Sequence, residues 1–231
     1  MTVCVPLARG RRMRLTRLDA CGEPAPGATG QLVTDGMVSV AVAPNYQDPE
    51  DITQPNANGD LCIDDQGNPV LRWLDLTIIM CRIDPDAFNI ITGNPLVVND
   101  ALTPESVGFR VDGEQTGTAN FALELWSGVT GQACDAEGNQ QFGYWLFPFV
   151  VKARVGEWTV ANAALTLTLT ARTSVGSLWG TGPASYLVRR DAVSDTPEVL
   201  LTAIDDDTHV HYETVTVAPP AAACGAIALP A

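Results

Sequence analysis

The feature that most constrains this chain is an alternation of apolar and polar residues with a period of two. Leu165, Leu167 and Leu169 are separated by threonines, and Phe121, Leu123 and Leu125 alternate likewise with Ala122, Glu124 and Trp126. Successive side chains of a β-strand point to opposite faces, so each run predicts a strand with one apolar face. These two runs predict a fold built mainly from strands.

Further runs rich in β-branched and aromatic residues predict strands elsewhere, bounded by Gly, Pro, Asn and Asp. The predicted strands cover 37–43, 61–63, 70–83, 107–112, 120–129, 143–155, 158–173, 186–190 and 209–217. The polar run 64–68 predicts a hairpin turn between the second and third of them. We expect an antiparallel β-sandwich or barrel of 1–231 as a single domain, with one short flanking helix.

One segment predicts that helix. Asp84 is suited to cap the free N–H groups, and Pro85 suits the first helical position. Gly93 suits the left-handed residue that ends a helix. Phe88 and Ile91 are three residues apart, so they share a face that can pack on a sheet.

The chain is acidic overall but rich in apolar residues. The 231 residues include 13 Lys+Arg and 27 Asp+Glu, for a net charge of −14, while 46% are hydrophobic. This apolar content excludes a disordered acidic chain. A net charge of this size disfavours broad nucleic-acid binding and docking on anionic membranes.

The first twenty residues form a basic arm, predicted as an arm or first strand. It contains five arginines and only one acidic residue. The arginines are Arg9, Arg11, Arg12, Arg14 and Arg17. Two interpretations stay open: arginines on the solvated face of a first strand, or an arm that docks on the acidic surface of another copy. Contact with nucleic acid is the weakest interpretation.

Two further segments lack apolar periodicity. Residues 44–60 contain three prolines and predict a long loop of a functional or disordered kind. Residues 218–231 form an Ala/Pro-rich tail. The order of charged and apolar residues at the start is wrong for a secretory signal, and no run is long enough for a transmembrane helix. We therefore expect six reduced, half-buried cysteines.

No catalytic constellation is evident. His209 and His211 share one face of a strand just after three aspartates, which leaves a metal site open as a minor alternative. Five tryptophans leave open a sugar-binding sandwich, although most lie in predicted strands where packing is their expected role. We expect no enzyme and no cofactor.

A series of sequence blocks spans nearly the whole chain. In order they are ARGRRMRLTRLDACG (8–22), VTDGMVSV (33–40), CRIDPD (81–86) with TG (92–93), GFRV (108–111), LELWSG (123–128), AC (133–134), NAA (162–164), WGTGP (179–183) and VAPP (217–220). Together these blocks resemble the major tail (tail tube) proteins of long non-contractile-tailed actinobacteriophages. The order of the blocks carries more weight than any one of them.

The resemblance implies a structural virion protein that self-assembles into stacked, usually hexameric rings. The tube would conduct double-stranded DNA during ejection without binding it specifically. Implied partners are further copies of the chain, the tape measure protein, and the tail terminator and distal tail proteins, with assembly in the host cytoplasm and a final place in the virion tail.

Two sets of charged residues become assembly candidates under this resemblance. An acidic lumen would repel DNA over about a Debye length, ~8 Å at physiological salt, and Asp75 and Glu124 are candidates to line it. The inter-ring contact candidates are the five arm arginines together with Asp48, Glu50 and Asp51 of the 44–60 segment.

Overall fold

Strands dominate the computed structural model, which describes residues 6–113, 119–131, 134–135 and 138–230. The first eight strands are β1 (Leu7–Leu18), β2 (Gly27–Thr34), β3 (Met37–Gln47), β4 (Ile52–Pro55), β5 (Leu61–Asp65), β6 (Val70–Met80), β7 (Leu96–Val98) and β8 (Ser106–Phe109). The rest are β9 (Asn120–Val129), β10 (Phe142–Val155), β11 (Leu167–Thr173), β12 (Arg189–Arg190), β13 (Pro197–Glu198), β14 (His211–Val215) and β15 (Ile227–Leu229). The helix α1 spans Pro85–Thr92.

Nine of the strands form one continuous antiparallel sheet. Its order is β15-β2-β1-β9-β10-β11-β6-β3, and β14 pairs with β10 beside that path. The first half of β10 pairs with both β9 and β14, and its second half pairs with β11. The prediction of a mainly antiparallel β fold with one short helix is confirmed for the described residues, with the large strands joined in a single sheet.

The two faces of this sheet are covered by two different apolar clusters. Met13, Leu15, Phe121 and Leu123 belong to one apolar cluster that includes the buried side of α1. Their neighbours in β1 and β9 point to the other face, where a second cluster includes Trp126 and residues of the chain after β11. The predicted alternation of β9 is therefore present, but both of its faces are interior.

The helix ends agree with the sequence prediction. The Asp84 side chain accepts a hydrogen bond from the backbone N–H of Asp86 at 2.9 Å, and Pro85 occupies the first turn. Gly93 adopts φ 75°, a left-handed conformation that favours glycine, and its N–H donates to the Asn89 carbonyl. Phe88 and Ile91 are both buried against the sheet.

The prediction of one continuous loop over 44–60 is wrong, because about half of this segment lies in paired strands. Strand β3 continues to Gln47 alongside β6, and β4 pairs with β5. The tip of this extension is the turn from Asn56 to Asp60, where the Asn56 side chain accepts the N–H groups of Asn58 and Asp60. The predicted hairpin turn at 64–68 is also wrong, since β5 pairs back onto β4 rather than onward to β6.

Three other sequence predictions differ from the structure. Residues 158–166 are not in a strand, and only Arg189–Arg190 of the predicted 186–190 strand is paired. The Ala/Pro-rich tail is also structured. Within it, β15 pairs with β2, because a short apolar segment can complete the exposed end of the sheet.

Candidate assembly surfaces

Arg14 and Glu124 form a buried ion pair and cannot act at a surface. They lie directly opposite each other on β1 and β9, and the guanidinium contacts both carboxylate oxygens. The exposed fraction of the residue is 5% for Arg14 and 0% for Glu124. The prediction that Arg14 makes inter-ring contacts is therefore wrong, and so is the prediction that Glu124 faces a lumen. The reason is that their side of the sheet is covered by the second apolar cluster.

Aromatic side chains complete the surroundings of this pair. The Tyr144 hydroxyl donates to Glu124 Oε1 at 2.6 Å, and the Arg14 guanidinium lies 3.3 Å from the ring centre of Tyr186. Burial would lower the pKa of Arg14, but the Glu124 carboxylate outweighs it and the net direction is upward. Burial, with Glu124 second, raises the pKa of Tyr144 and Tyr186 above the usual range. Arg14, Glu124, Tyr144 and Tyr186 therefore belong to the packed interior of the fold.

Three arm arginines remain accessible at the start of β1. Arg9 and Arg11 are exposed, Arg12 is half-buried, and the β1–β9 register shifts twice between Ala8 and Arg12. Such bulges bend a strand and redirect its side chains. Arg17 differs, because it donates to Asn89 Oδ1 at 2.7 Å on the helix. Residues 1–5 of the predicted arm lie outside the described residues.

The paired extension formed by 46–71, called here the distal hairpin, is acidic along its length. Residues 18–71 contain no lysine or arginine, and the distal hairpin contributes six acids. These acids, all exposed, are Asp48, Glu50, Asp51, Asp60, Asp64 and Asp65. The three predicted contact acids of the 44–60 segment therefore lie on a protruding element.

The distal hairpin also exposes apolar side chains that its own two strands cannot bury. Ile52, Leu61 and Ile63 have exposed fractions of 57%, 61% and 50%. An isolated two-stranded hairpin is marginally stable in water, and contiguous exposed apolar residues mark interaction sites. Exposed acidic and apolar side chains on one hairpin are typical of an element that contacts a partner.

Three strand edges of the main sheet are unpaired within the described chain. Strands β3 and β15 end the order of the sheet, and β14 pairs only with β10. Val38 and Val42 on β3 are 54% and 43% exposed. An exposed apolar edge strand offers free N–H and C=O groups for pairing with another chain.

Asp75 is exposed on β6, on the face of the sheet opposite α1. Its Oδ1 accepts a hydrogen bond from Trp73 Nε1 at 3.1 Å. Lys152, Arg154 and Arg172 line the same shallow groove. Asp75 is therefore accessible, but its surroundings are basic.

The N-terminal turn of α1 holds the C-terminal segment, which the sequence analysis missed. Asp84 Oδ2 accepts the N–H of Gly225 at 2.8 Å, and Asp86 Oδ2 accepts the N–H of Ala226 at 2.7 Å. The helix-capping acids thus also anchor β15. A sequence signal existed in the two acids at a helix start, but their second partner lies about 140 residues away.

The alternative sites from the sequence have no supporting geometry. His209 precedes β14, so the two histidines do not share one strand. His209 Nδ1 lies 2.8 Å from Thr173 Oγ1 of β11, and burial lowers the pKa of His209 against the opposing charge of Asp207. Among the described residues, no three His, Cys, Asp or Glu side chains are grouped as metal ligands. Trp126 and Trp179 are buried, and only Trp158 is classed as exposed.

Five cysteines lie within the described residues, and all are free and exposed, so the expected half-burial was wrong; Cys4 lies outside that part. No helix in the described ranges is long and apolar enough to cross a membrane.

Comparison with known proteins adds little to this picture. No protein-family model matches the chain, and neither does any curated protein. One solved structure to which it is similar is the sheath-tube complex, in its extended state, of the extracellular contractile injection system PVC. The TM-score is 0.33 at 11% identity, covering 73% of this chain and 88% of the other. A TM-score of this size does not establish a common fold, so no property of that complex is transferred here.

Proposed function

We propose that this chain is the structural subunit of a phage tail tube, of the kind found in long non-contractile tails. Copies close into rings, six to a ring, and the rings stack into a conduit for double-stranded DNA during ejection. The proposed partners are other copies, the tape measure protein, and the tail terminator and distal tail proteins. Assembly would take place in the host cytoplasm, and the mature location would be the virion tail.

The observation that carries this proposal is a pair of exposed segments with opposite charge, one on the distal hairpin and one at the start of β1. The distal hairpin carries six acids and no basic residue, while the start of β1 presents Arg9, Arg11 and Arg12. None of these three arginines forms an ion pair within the described residues. Complementary charges of this kind steer association and set its register. Stacked copies would bring the hairpin of one ring to the arm of the next.

Lateral closure would use the unpaired strand edges. Edge-to-edge pairing of β3 with a strand of a neighbouring copy satisfies its free backbone groups and covers Val38 and Val42. A closed ring then leaves no exposed edge to seed aggregation. The ring number of six rests on the resemblance alone.

The acidic lumen stays a prediction, but neither of the two residues predicted to line it suits an acidic wall. Glu124 is interior, and Asp75 shares its groove with three basic residues. An acidic wall would therefore have to be supplied by a face other than the one that holds Asp75. A density map of the assembled tube would identify the lumen-facing residues directly.

Electron microscopy of the purified protein tests the proposal. Negative staining of the wild-type chain should show rings or tubes. Combined reversal of Arg9, Arg11 and Arg12 to Glu should leave folded protein that forms at most single rings. The start of β1 would then carry the same charge as the distal hairpin of the next ring and repel it. Reversal of Asp48, Glu50 and Asp51 to Lys should have the same effect.

Two further variants separate specific pairing from net charge. A chain that carries both sets of reversals should stack again, since opposite charges are restored. Reversal of the three exposed acids Asp205, Asp206 and Asp207 to Lys changes net charge as much as the hairpin reversal, and should leave stacking intact. Wild-type protein that stays monomeric at all concentrations would contradict the proposed function. Normal tubes from the arginine reversal alone and from the acid reversal alone would contradict the proposed contact between the distal hairpin and the start of β1.

A further inference from the structure

The basic residues outside the arm fall into two groups of equal size. Four of them are in ion pairs with carboxylates, namely Arg82, Arg110, Arg189 and Arg190. The other four, Arg72, Lys152, Arg154 and Arg172, have no such partner in the described part of the chain. The last three line one groove, and Arg72 packs on the Trp73 ring that Arg172 also contacts. In a chain of net charge −14, this local excess of positive charge is unexpected.

Three of these cations converge on a shallow groove of about 210 Å³. Lys152, Arg154 and Arg172 line it, together with Asp75 and Thr170. Asp75 is the single carboxylate among the lining residues, and it already accepts a hydrogen bond from Trp73. Three positive side chains against one acid make the groove an anion site by charge.

A β-bulge in β10 creates this convergence. Val151 pairs with Arg172 and Arg154 pairs with Thr170, so β10 uses one more residue than β11 over this stretch. In a regular strand, Ala153 would occupy the outer face and Arg154 would point into the core. The extra residue reverses them, and Ala153 is buried while Arg154 is exposed.

Lys152 is the extra residue, and its conformation is unfavourable for a lysine. Its φ of 56° lies in the left-handed region that favours glycine. Backbone conformations of this kind persist where the surrounding structure enforces them, and they concentrate at functional sites. Bulges likewise recur where a side chain must be redirected.

Trp73 orders the groove but does not present a free aromatic surface. The guanidinium carbons of Arg72 and Arg172 lie 4.4 Å and 4.5 Å from its ring centre. These cation–π contacts hold Arg172 in place. Because guanidiniums already occupy the ring, stacking of a nucleic-acid base on Trp73 is disfavoured, and recognition of an oxyanion is favoured.

We propose that this groove binds a phosphate group, supplied either by a nucleic-acid backbone or by free inorganic phosphate. Guanidinium groups donate paired hydrogen bonds to phosphate oxygens, and an ammonium adds a compact charge. The exposed Thr170 hydroxyl supplies a further donor. This site does not depend on tube formation, since every residue involved belongs to one chain.

Lys152 permits a direct test on the wild-type protein, because it is the only lysine in the chain. Acylation with an amine-specific reagent, read by mass spectrometry, reports the accessibility of its ammonium group, with the α-amino group of the chain as internal reference. Saturating inorganic phosphate or a short DNA duplex should slow Lys152 acylation several-fold relative to chloride at equal ionic strength. Protection by the duplex but not by phosphate identifies a nucleic-acid backbone as the source, and protection by phosphate alone identifies the free ion.

Matched variants separate the groove from general electrostatics. Arg154→Gln with Arg172→Gln should abolish protection, whereas Arg9→Gln with Arg12→Gln removes the same charge and should retain it. Asp75→Asn keeps an acceptor for Trp73 and should strengthen protection. If the duplex binds, each lost phosphate contact should make the slope of log K against log salt shallower by about 0.9.

Three results would overturn the proposal. They are absence of protection by both phosphate and duplex, equal protection by polyglutamate, and equal loss in the two double variants. Circular dichroism of each variant confirms that the comparison is made on folded protein, and the wild-type acylation result stands without any variant.

Discussion

Arg14 on β1 and Glu124 on β9 are 110 residues apart in sequence and directly opposed in the sheet, where they form an ion pair removed from solvent. The pair is enclosed by Trp126, Tyr144 and Tyr186, of which Tyr144 also donates to the carboxylate. Removing one member of a buried pair leaves an uncompensated charge in the interior.

We therefore predict that Glu124→Gln lowers the free energy of unfolding by about 3–5 kcal/mol. The double variant Arg14→Met with Glu124→Leu should recover much of this loss, because no charge then remains buried. Urea denaturation measures both. The exposed pair Arg82–Asp35 is the control, and Arg82→Ala should cost at most about 1 kcal/mol. Equal costs for Glu124→Gln and Arg82→Ala would refute the buried pair.

Alkaline pH should destabilise the protein through the two buried tyrosines. Burial raises the pKa of Tyr144 and Tyr186 in the folded state, so both keep their protons where the unfolded chain loses them. Their contribution to stability is complete below the unfolded tyrosine pKa of about 10 and is lost as pH rises above it.

The urea midpoint between pH 8 and 11 measures this dependence. Tyr186→Phe should reduce the alkaline fall in stability, although it also removes the hydrogen bond between Tyr186 and Thr16. Tyr212→Phe, at a side chain that is 41% exposed in the native structure, is the control and should leave the pH profile unchanged. An unaltered profile for Tyr186→Phe would contradict the assignment.

The C-terminal segment should detach when its anchor on α1 is removed. Asp86→Ala loses the carboxylate that accepts both the Ala226 N–H and the Ser106 hydroxyl. Hydrogen exchange of residues 225–229 should accelerate strongly, while that of β9 should not change. Asp100→Ala, at an exposed turn, provides the control. Unchanged exchange at 225–229 would show that the Asp84–Gly225 hydrogen bond and the pairing of β15 with β2 hold the segment without Asp86.

The helix cap should be worth a measurable amount of stability. Asp84→Ala loses the N-cap and should cost about 1 kcal/mol from that contact. Asp84→Asn retains one acceptor oxygen and should cost less. Thermal unfolding of both variants measures the difference. Equal destabilisation by the two would indicate that the charge at the helix N-terminus or the second carboxylate contact, to Gly225, matters more than the cap hydrogen bond.

Ring closure through the β3 edge predicts sensitivity to charge on that strand. Val38→Lys with Val42→Lys should leave the monomer folded but prevent lateral association, since lysines on an edge strand oppose pairing. Sedimentation velocity and negative staining measure this. Val160→Lys, at a residue 82% exposed away from the sheet, should assemble normally. Intact rings from the double variant would place the lateral contact on another edge.

Local sequence determined much of this protein. The period-two alternation in β9 and β11 specifies strands, because side-chain direction in an extended chain depends only on position. Asp84, Pro85 and Gly93 specify both ends of α1, because capping and left-handed φ are properties of adjacent residues. The absence of basic residues between 18 and 71 marked the acidic segment, although not its shape.

Only the tertiary structure decided which of these residues meet. Arg14 between Met13 and Leu15 has the pattern of an outward-facing residue, and its burial depends on a second layer formed by chain after β11. The pairing of β4 with β5, the anchoring of Gly225 by Asp84, and the bulge that turns Arg154 outward are likewise long-range choices. They are set by packing between segments far apart in sequence, and no local periodicity encodes them.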